Sequence, residues 1–169
     1  MICFFGGSMG NTAEFELIKT LLDKKATVAT AESCTGGMVA ARLTSVSGAS
    51  GAFKYGAVTY CNEAKNIVLG VSTETLSEHG AISAETAKEM AEGIRKVMDA
   101  DIGVSVTGNA GPGAAEEKPV GLVYIGVSSE NYSTVLKNHF EGDRVSVREQ
   151  AADSALLLAL SAAEKIMED

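Results

Sequence analysis

Thr27-Val28-Ala29-Thr30-Ala31-Glu32-Ser33-Cys34-Thr35-Gly36-Gly37 passes from one kind of backbone to another within a few residues. Its small and β-branched first half, bounded by Lys25 and Glu32, reads as a buried strand ending at Ser33. The glycines that follow lead into a helix predicted over residues 36–45. A buried strand feeding straight into a helix is the step from which open α/β sheets are built. In such sheets ligands sit where strands end and helices begin. On the N-terminal side, Asn11-Thr12-Ala13-Glu14 has the form of a capping box, and Phe15, Ile18 and Leu22 follow at helical spacing, so a helix is expected over 11–24. Residues 1–10 are expected to be an arm, with one domain over 11–169.

On the C-terminal side, residues 52–60 read as a strand in which Gly56 marks a bulge or a close backbone approach. Helices follow over 63–69 and, briefly, 73–78. Ser83 caps a stronger helix with Ala87, Met90, Ala91, Ile94 and Val97 on one face, ending near Met98. A second buried strand over 102–106 runs into Thr107-Gly108-Asn109-Ala110-Gly111-Pro112-Gly113, the densest turn-forming stretch of the chain. Two strands over 121–128 and 132–140 form an antiparallel hairpin, and a last helix runs over 143–167. Alternating helices and strands with a closing hairpin predict a three-layer α/β/α sandwich around a mixed, mostly parallel sheet.

Composition narrows the chemistry. The 169 residues suit one domain, and 14 basic against 22 acidic residues give a formal charge of -8. That balance argues against nucleic acid and anionic membranes as partners. The apolar Met1-Ile2-Cys3-Phe4-Phe5 is too short for a signal peptide or a membrane span, which makes the cytoplasm the expected location. Three cysteines without CxxC spacing support neither a disulfide framework nor a zinc site, and two histidines leave little imidazole for general base work. No metal and no cofactor is expected.

Three places carry candidate chemistry. Ser33 and Cys34 lie at a strand exit, with the helix-start amides of Thr35, Gly36 and Gly37 behind them as donors to an oxyanion or phosphate. The simpler reading is that Ser33 or Thr35 caps the helix and Cys34 is a core thiol. Thr59-Tyr60-Cys61-Asn62-Glu63-Ala64-Lys65 brings a phenol and an amine to the same sheet edge. Either could serve a serine nucleophile as proton acceptor, while the simpler reading has Lys65 solvated on a helix surface. Arg144 and Arg148, four apart at the start of the last helix, share a face suited to phosphate or carboxylate, or to ordinary ion pairs. Lys118 stands just before a strand.

Taken together, Ala31-Glu32-Ser33-Cys34-Thr35-Gly36-Gly37, Val58-Thr59-Tyr60-Cys61-Asn62-Glu63-Ala64-Lys65, Thr107-Gly108-Asn109-Ala110-Gly111-Pro112, Lys118-Pro119-Val120-Gly121 and Gly142-Asp143-Arg144 resemble the CinA C-terminal domain family from residue 11 onward. The resemblance implies a three-layer α/β/α fold and nicotinamide-nucleotide amidase activity, the hydrolysis of nicotinamide mononucleotide to nicotinate mononucleotide and ammonia in pyridine-nucleotide recycling. It implies Ser33 as nucleophile, with Tyr60 and Lys65 completing a Ser-Tyr-Lys proton-transfer set and the amides from Cys34 to Gly37 as an oxyanion hole. Thr107, the backbone of Asn109, Ala110 and Gly111, and the side chains of Arg144 and Arg148 would hold phosphate and ribose, with Lys118 a weaker contact.

Three residues depart from the family pattern: Cys61 replaces a common serine, Asn109 a common isoleucine and Leu122 a common threonine. Many relatives carry the domain behind a larger N-terminal one, so a stand-alone amidase is expected, as a homodimer or larger assembly. The competing expectation is a catalytically silent nucleotide-binding or protein-interaction module linked to competence or DNA damage.

Overall fold

The computed structural model describes residues 12–166, and the expected arm at 1–10, with Asn11, lies outside the described residues. Five strands form one sheet in the order β2-β1-β3-β4-β5. They are β1 (Val28–Glu32), β2 (Phe53–Val58), β3 (Ile102–Gly108), β4 (Leu122–Ser128) and β5 (Ser133–His139). β1 pairs in parallel with β2 and β3, while β4 is antiparallel to both β3 and β5, so only β4 runs against the others. The helices are α1 (Ala13–Asp23), α2 (Met38–Thr44), α3 (Asn62–Leu69), α4 (Thr73–His79), α5 (Ala84–Val97) and α6 (Arg144–Glu164).

Strand alternation sends the two faces of β1 and β3 to different layers. Val28, Ile102, Val104 and Val106 join the larger core with Leu17, Ile18 and Leu21 of α1, Val39 and Leu43 of α2, and the inner face of α6. Ala29 and Ala31 join the smaller core with Leu69 of α3 and Met90 and Ile94 of α5. The expected sandwich is therefore the observed one. α6 lies close to the sheet because the residues it buries at helical spacing, Val147, Ala151, Ala155, Ala159 and Ala163, are mostly alanine.

Two local expectations change. α1 starts from Thr12 without a side-chain cap bond, and Glu14 is drawn instead to Arg42 of α2 at 2.7 Å. Arg42 also reaches Asp153 of α6, so its guanidinium ties three helices of one layer together. In β2 the register slips between Val28 and Ala29, opposite Phe53 and Tyr55, which puts the irregularity at Lys54. Gly56 marks the close approach: a Cβ there would lie 2.9 Å from Thr30 Oγ1 and 3.0 Å from the Cβ of Ala40.

Candidate active site

The C-terminal ends of β1, β2 and β3 are stitched together one residue beyond the ladder. The Thr59 amide donates to the Glu32 carbonyl at 2.8 Å and the Ser33 amide to the Val106 carbonyl at 2.9 Å. This fixes Ser33, the Thr59-Tyr60 pair and Thr107 along one edge of the sheet. There Ser33, Tyr60 and Thr107 border a cavity of about 310 Å³ completed by the 108–116 loop, Ala81 and Ile82 before α5, and Arg144 of α6.

At its floor, Lys65 Nζ lies 3.2 Å from Ser33 Oγ and donates to the Thr59 carbonyl at 2.8 Å. Lys65 belongs to the first turns of α3, and the short link from β2 folds its side chain back under the sheet edge, leaving it 1% exposed. Burial without a paired carboxylate pushes the amine below the ordinary lysine range, with the charge of Glu116 among those pulling partly the other way. Lys65 Nζ is placed to donate to both oxygens, and once neutral the same geometry allows it to donate to Thr59 and accept from the Ser33 hydroxyl, the arrangement a general base needs. The neighbouring Cys34 thiol is pushed up to about 11 by burial, which makes it a poor nucleophile.

Tyr60 occupies a different place from Lys65. It is 60% exposed at the rim, and its hydroxyl accepts from Arg144 Nη2 at 2.9 Å, with no hydrogen bond to Ser33 or Lys65. The expected Ser-Tyr-Lys set thus resolves into a Ser-Lys pair on the floor and a Tyr-Arg pair above it. Arg144 Nη1 donates to the Gly111 carbonyl at 2.6 Å, tying the rim to the loop. Thr107 Oγ1 donates to the Ala81 carbonyl at 2.6 Å. Asn109 organises the loop: Oδ1 accepts from the Gly111 amide, and Nδ2 donates to the carbonyls of Gly113 and Lys118.

The amides from Cys34 to Gly37 do not act as one set. Gly36 donates to the Ser33 carbonyl at 3.0 Å, and Gly37 to Glu32 Oε2 at 3.0 Å. Thr35 is fully buried behind the cavity. Cys34 alone of the four borders the cavity, and its amide has no protein acceptor among the described residues. The two arginines also part company. Arg148 does not border the cavity; it donates from Nε to the Cys34 carbonyl at 3.1 Å and from Nη2 to the Thr35 carbonyl at 2.8 Å. Lys118 lies outside the cavity wall too, its carbonyl engaged by Asn109.

Leu122 is buried in β4 away from the cavity, and Cys61 is an exposed thiol at the α3 N-cap. Two acids escaped the sequence reading. Glu32, 1% exposed, accepts the amides of Gly37, Val39 and Ala40 at 2.9 to 3.0 Å. A lone acid closing an otherwise apolar strand just before a helix start was its available signal. Glu116 borders the cavity and accepts from the amides of Ala81 and Ile82 at 3.1 and 3.0 Å, which nothing in its local sequence indicates. No helix among the described residues is long and apolar enough to cross a membrane.

Comparison with known proteins bears on the whole of this architecture. The model of the CinA C-terminal domain matches residues 11–163. A Caldicellulosiruptor saccharolyticus protein named for competence-damage induction is 50% identical over 151 residues, covering 89% of this chain and 37% of its own length. A CinA-like protein of Acidobacterium capsulatum is 47% identical over 150 residues, covering 88% of this chain and 36% of its own. The chain thus spans little more than a third of these relatives. Among solved structures, a CinA superfamily protein from Klebsiella pneumoniae superposes with a TM-score of 0.87 at 32% identity, covering 91% of this chain and 97% of that one. A competence/damage inducible protein from Agrobacterium tumefaciens gives 0.81 at 38% identity, covering 92% and 99%. With nearly its whole length matched in sequence and in fold, the chain belongs to the CinA C-terminal domain family.

Proposed function

We propose that the chain is an amidohydrolase that converts nicotinamide mononucleotide to nicotinate mononucleotide and ammonia. The observation that carries this reading is the buried Lys65 amine 3.2 Å from Ser33 Oγ, with no imidazole beside it. Lys65, neutral, takes the Ser33 proton as Oγ bonds to the carboxamide carbon, and the carbonyl electron pair moves to oxygen. The Cys34 amide is the available donor to that oxyanion. Collapse breaks the carbon-nitrogen bond, and the Lys65 ammonium returns its proton to the departing nitrogen, releasing ammonia. Water, deprotonated by the same amine, then attacks the Ser33 ester, and as the carbon–Oγ bond breaks the Lys65 ammonium returns that proton to Oγ, releasing nicotinate mononucleotide. At the rim, the Arg144 guanidinium and the Tyr60 hydroxyl suit a nucleotide phosphate, which would exchange the bond between them for bonds to its own oxygens.

The test is release of ammonia and nicotinate mononucleotide from nicotinamide mononucleotide by the purified chain. Ser33→Ala and Lys65→Met are expected to lose at least about a thousandfold in kcat, and Cys34→Ala to stay within about threefold of the parent. Binding of the nucleotide without ammonia release would sink the enzyme reading in favour of a silent nucleotide-binding module.

A further inference from the structure

Glu32 and Arg148 approach the 33–37 turn from opposite sides, and neither borders the cavity. Glu32 receives three backbone amides on the helix side, while Arg148 gives two hydrogen bonds to carbonyls on the α6 side. Between them the turn is tied to β3 by the Ser33 N–H to the Val106 carbonyl at 2.9 Å and to α2 by the Ala41 N–H to the Gly37 carbonyl at 2.9 Å, while within it there are only Gly36 N–H to the Ser33 carbonyl at 3.0 Å and Met38 N–H to the Thr35 carbonyl at 3.3 Å. Gly36 and Gly37 both have positive φ, at 62 and 96 degrees, a backbone that reverts easily unless tied. No salt bridge joins Glu32 to Arg148 among the described residues: the turn lies between them.

We propose that Glu32 and Arg148 are a pair of positioning residues, a charge clamp that fixes the 33–37 turn so that Ser33 Oγ stays on Lys65. Three charge-assisted hydrogen bonds hold the turn itself, by the Gly37 amide and the Cys34 and Thr35 carbonyls, and two more from Glu32 to the Val39 and Ala40 amides hold the start of α2 behind it. Release of either side lets Ser33 drift from the amine without changing what lines the cavity. The device therefore acts on the chemical step and leaves substrate binding alone. It rests on the proposal that Ser33 is the nucleophile.

The experiment compares Glu32→Gln, Arg148→Lys and the double variant with the parent. It measures kcat and KM on nicotinamide mononucleotide, the rate at which a fluorophosphonate labels Ser33, and the thermal midpoint. Each single change should lower both kcat and the labelling rate by about tenfold to a hundredfold, with KM within about twofold. The double variant should lose little beyond the worse single one, because one released side already frees the turn. Arg148→Ala should label more slowly than Arg148→Lys, which keeps one charged donor. Labelling and kcat within twofold of the parent in both singles, or losses that multiply, overturn the clamp. Should Glu32→Gln fail to fold, the Arg148 pair carries the comparison. If the parent labels rapidly, the variants label slowly and no variant or parent releases ammonia, the clamp stands and the substrate assignment falls. A parent whose Ser33 does not label at all refutes the clamp together with the nucleophile.

Discussion

A buried lysine without a carboxylate partner couples folding to pH. Its ammonium form loses hydration in the folded protein and keeps it in the unfolded chain, so the pKa of Lys65 lies below the ordinary 10.5 only when folded. The unfolded state binds more protons between those two values, and stability therefore rises with pH through that window. Well below the folded pKa the penalty is complete; above 10.5 both states are neutral and it has vanished. Lys65→Met has no such term. The difference in thermal midpoint between Lys65→Met and the parent should thus shrink as pH rises from the folded pKa toward 10.5, and a difference constant up to pH 10.5 would show that Lys65 is not desolvated. Catalysis should follow the same group, with kcat/KM falling on the acid side as the amine gains its proton. In the sequence, Ser33 and Lys65 were legible as a hydroxyl at a strand exit and an amine at the same edge. That Lys65 faces Ser33 while Tyr60 faces Arg144 was not, because direction depends on how tightly α3 returns under the sheet.

Helix and strand positions were legible to within a few residues, since burial imposes its own period on each element. The connections were less so. The link between β3 and β4 is a strap shaped by three side chains, Asn109 inside it, Arg144 from α6 and Glu116 at its tip. Glu116 and Glu117 hold left-handed backbone at φ of 51 and 57 degrees, costing about 1 kcal/mol each. The two hydrogen bonds that the Glu116 carboxylate accepts from backbone amides offset that strain and latch the strap to Ala81 and Ile82. Because the latch shapes a wall of the cavity, Glu116→Gln should raise KM by about threefold to tenfold, and because the lost charge also held the Lys65 pKa up, the acid limb of the kcat profile should move to lower pH while kcat above that limb stays within about twofold. A change confined to kcat would show that the strap serves the chemical step instead. No pattern of turn residues reveals such a latch, whose acceptor and donors lie more than thirty positions apart.

For the whole molecule, the three-layer architecture was legible because alternating buried strands and helices leave few other ways to cover a sheet. Its electrostatics work against its proposed substrate. A chain of charge -8 repels a mononucleotide at long range, while Arg144 attracts it only at the rim. Added salt screens the distant repulsion more than the close contact, so kcat/KM should rise, by about twofold between low and physiological ionic strength. A fall would mean that local positive charge steers the encounter.

Both guanidiniums that reach the site, Arg144 and Arg148, arrive on α6, the last described element in chain order. A ribosome makes Ser33 and Lys65 long before it makes either arginine. A nascent chain with its sheet already assembled would carry the hydroxyl and the amine on a turn held from the Glu32 side alone, beneath a rim without Arg144. Under the proposed function, the site is therefore complete only once α6 has emerged and docked.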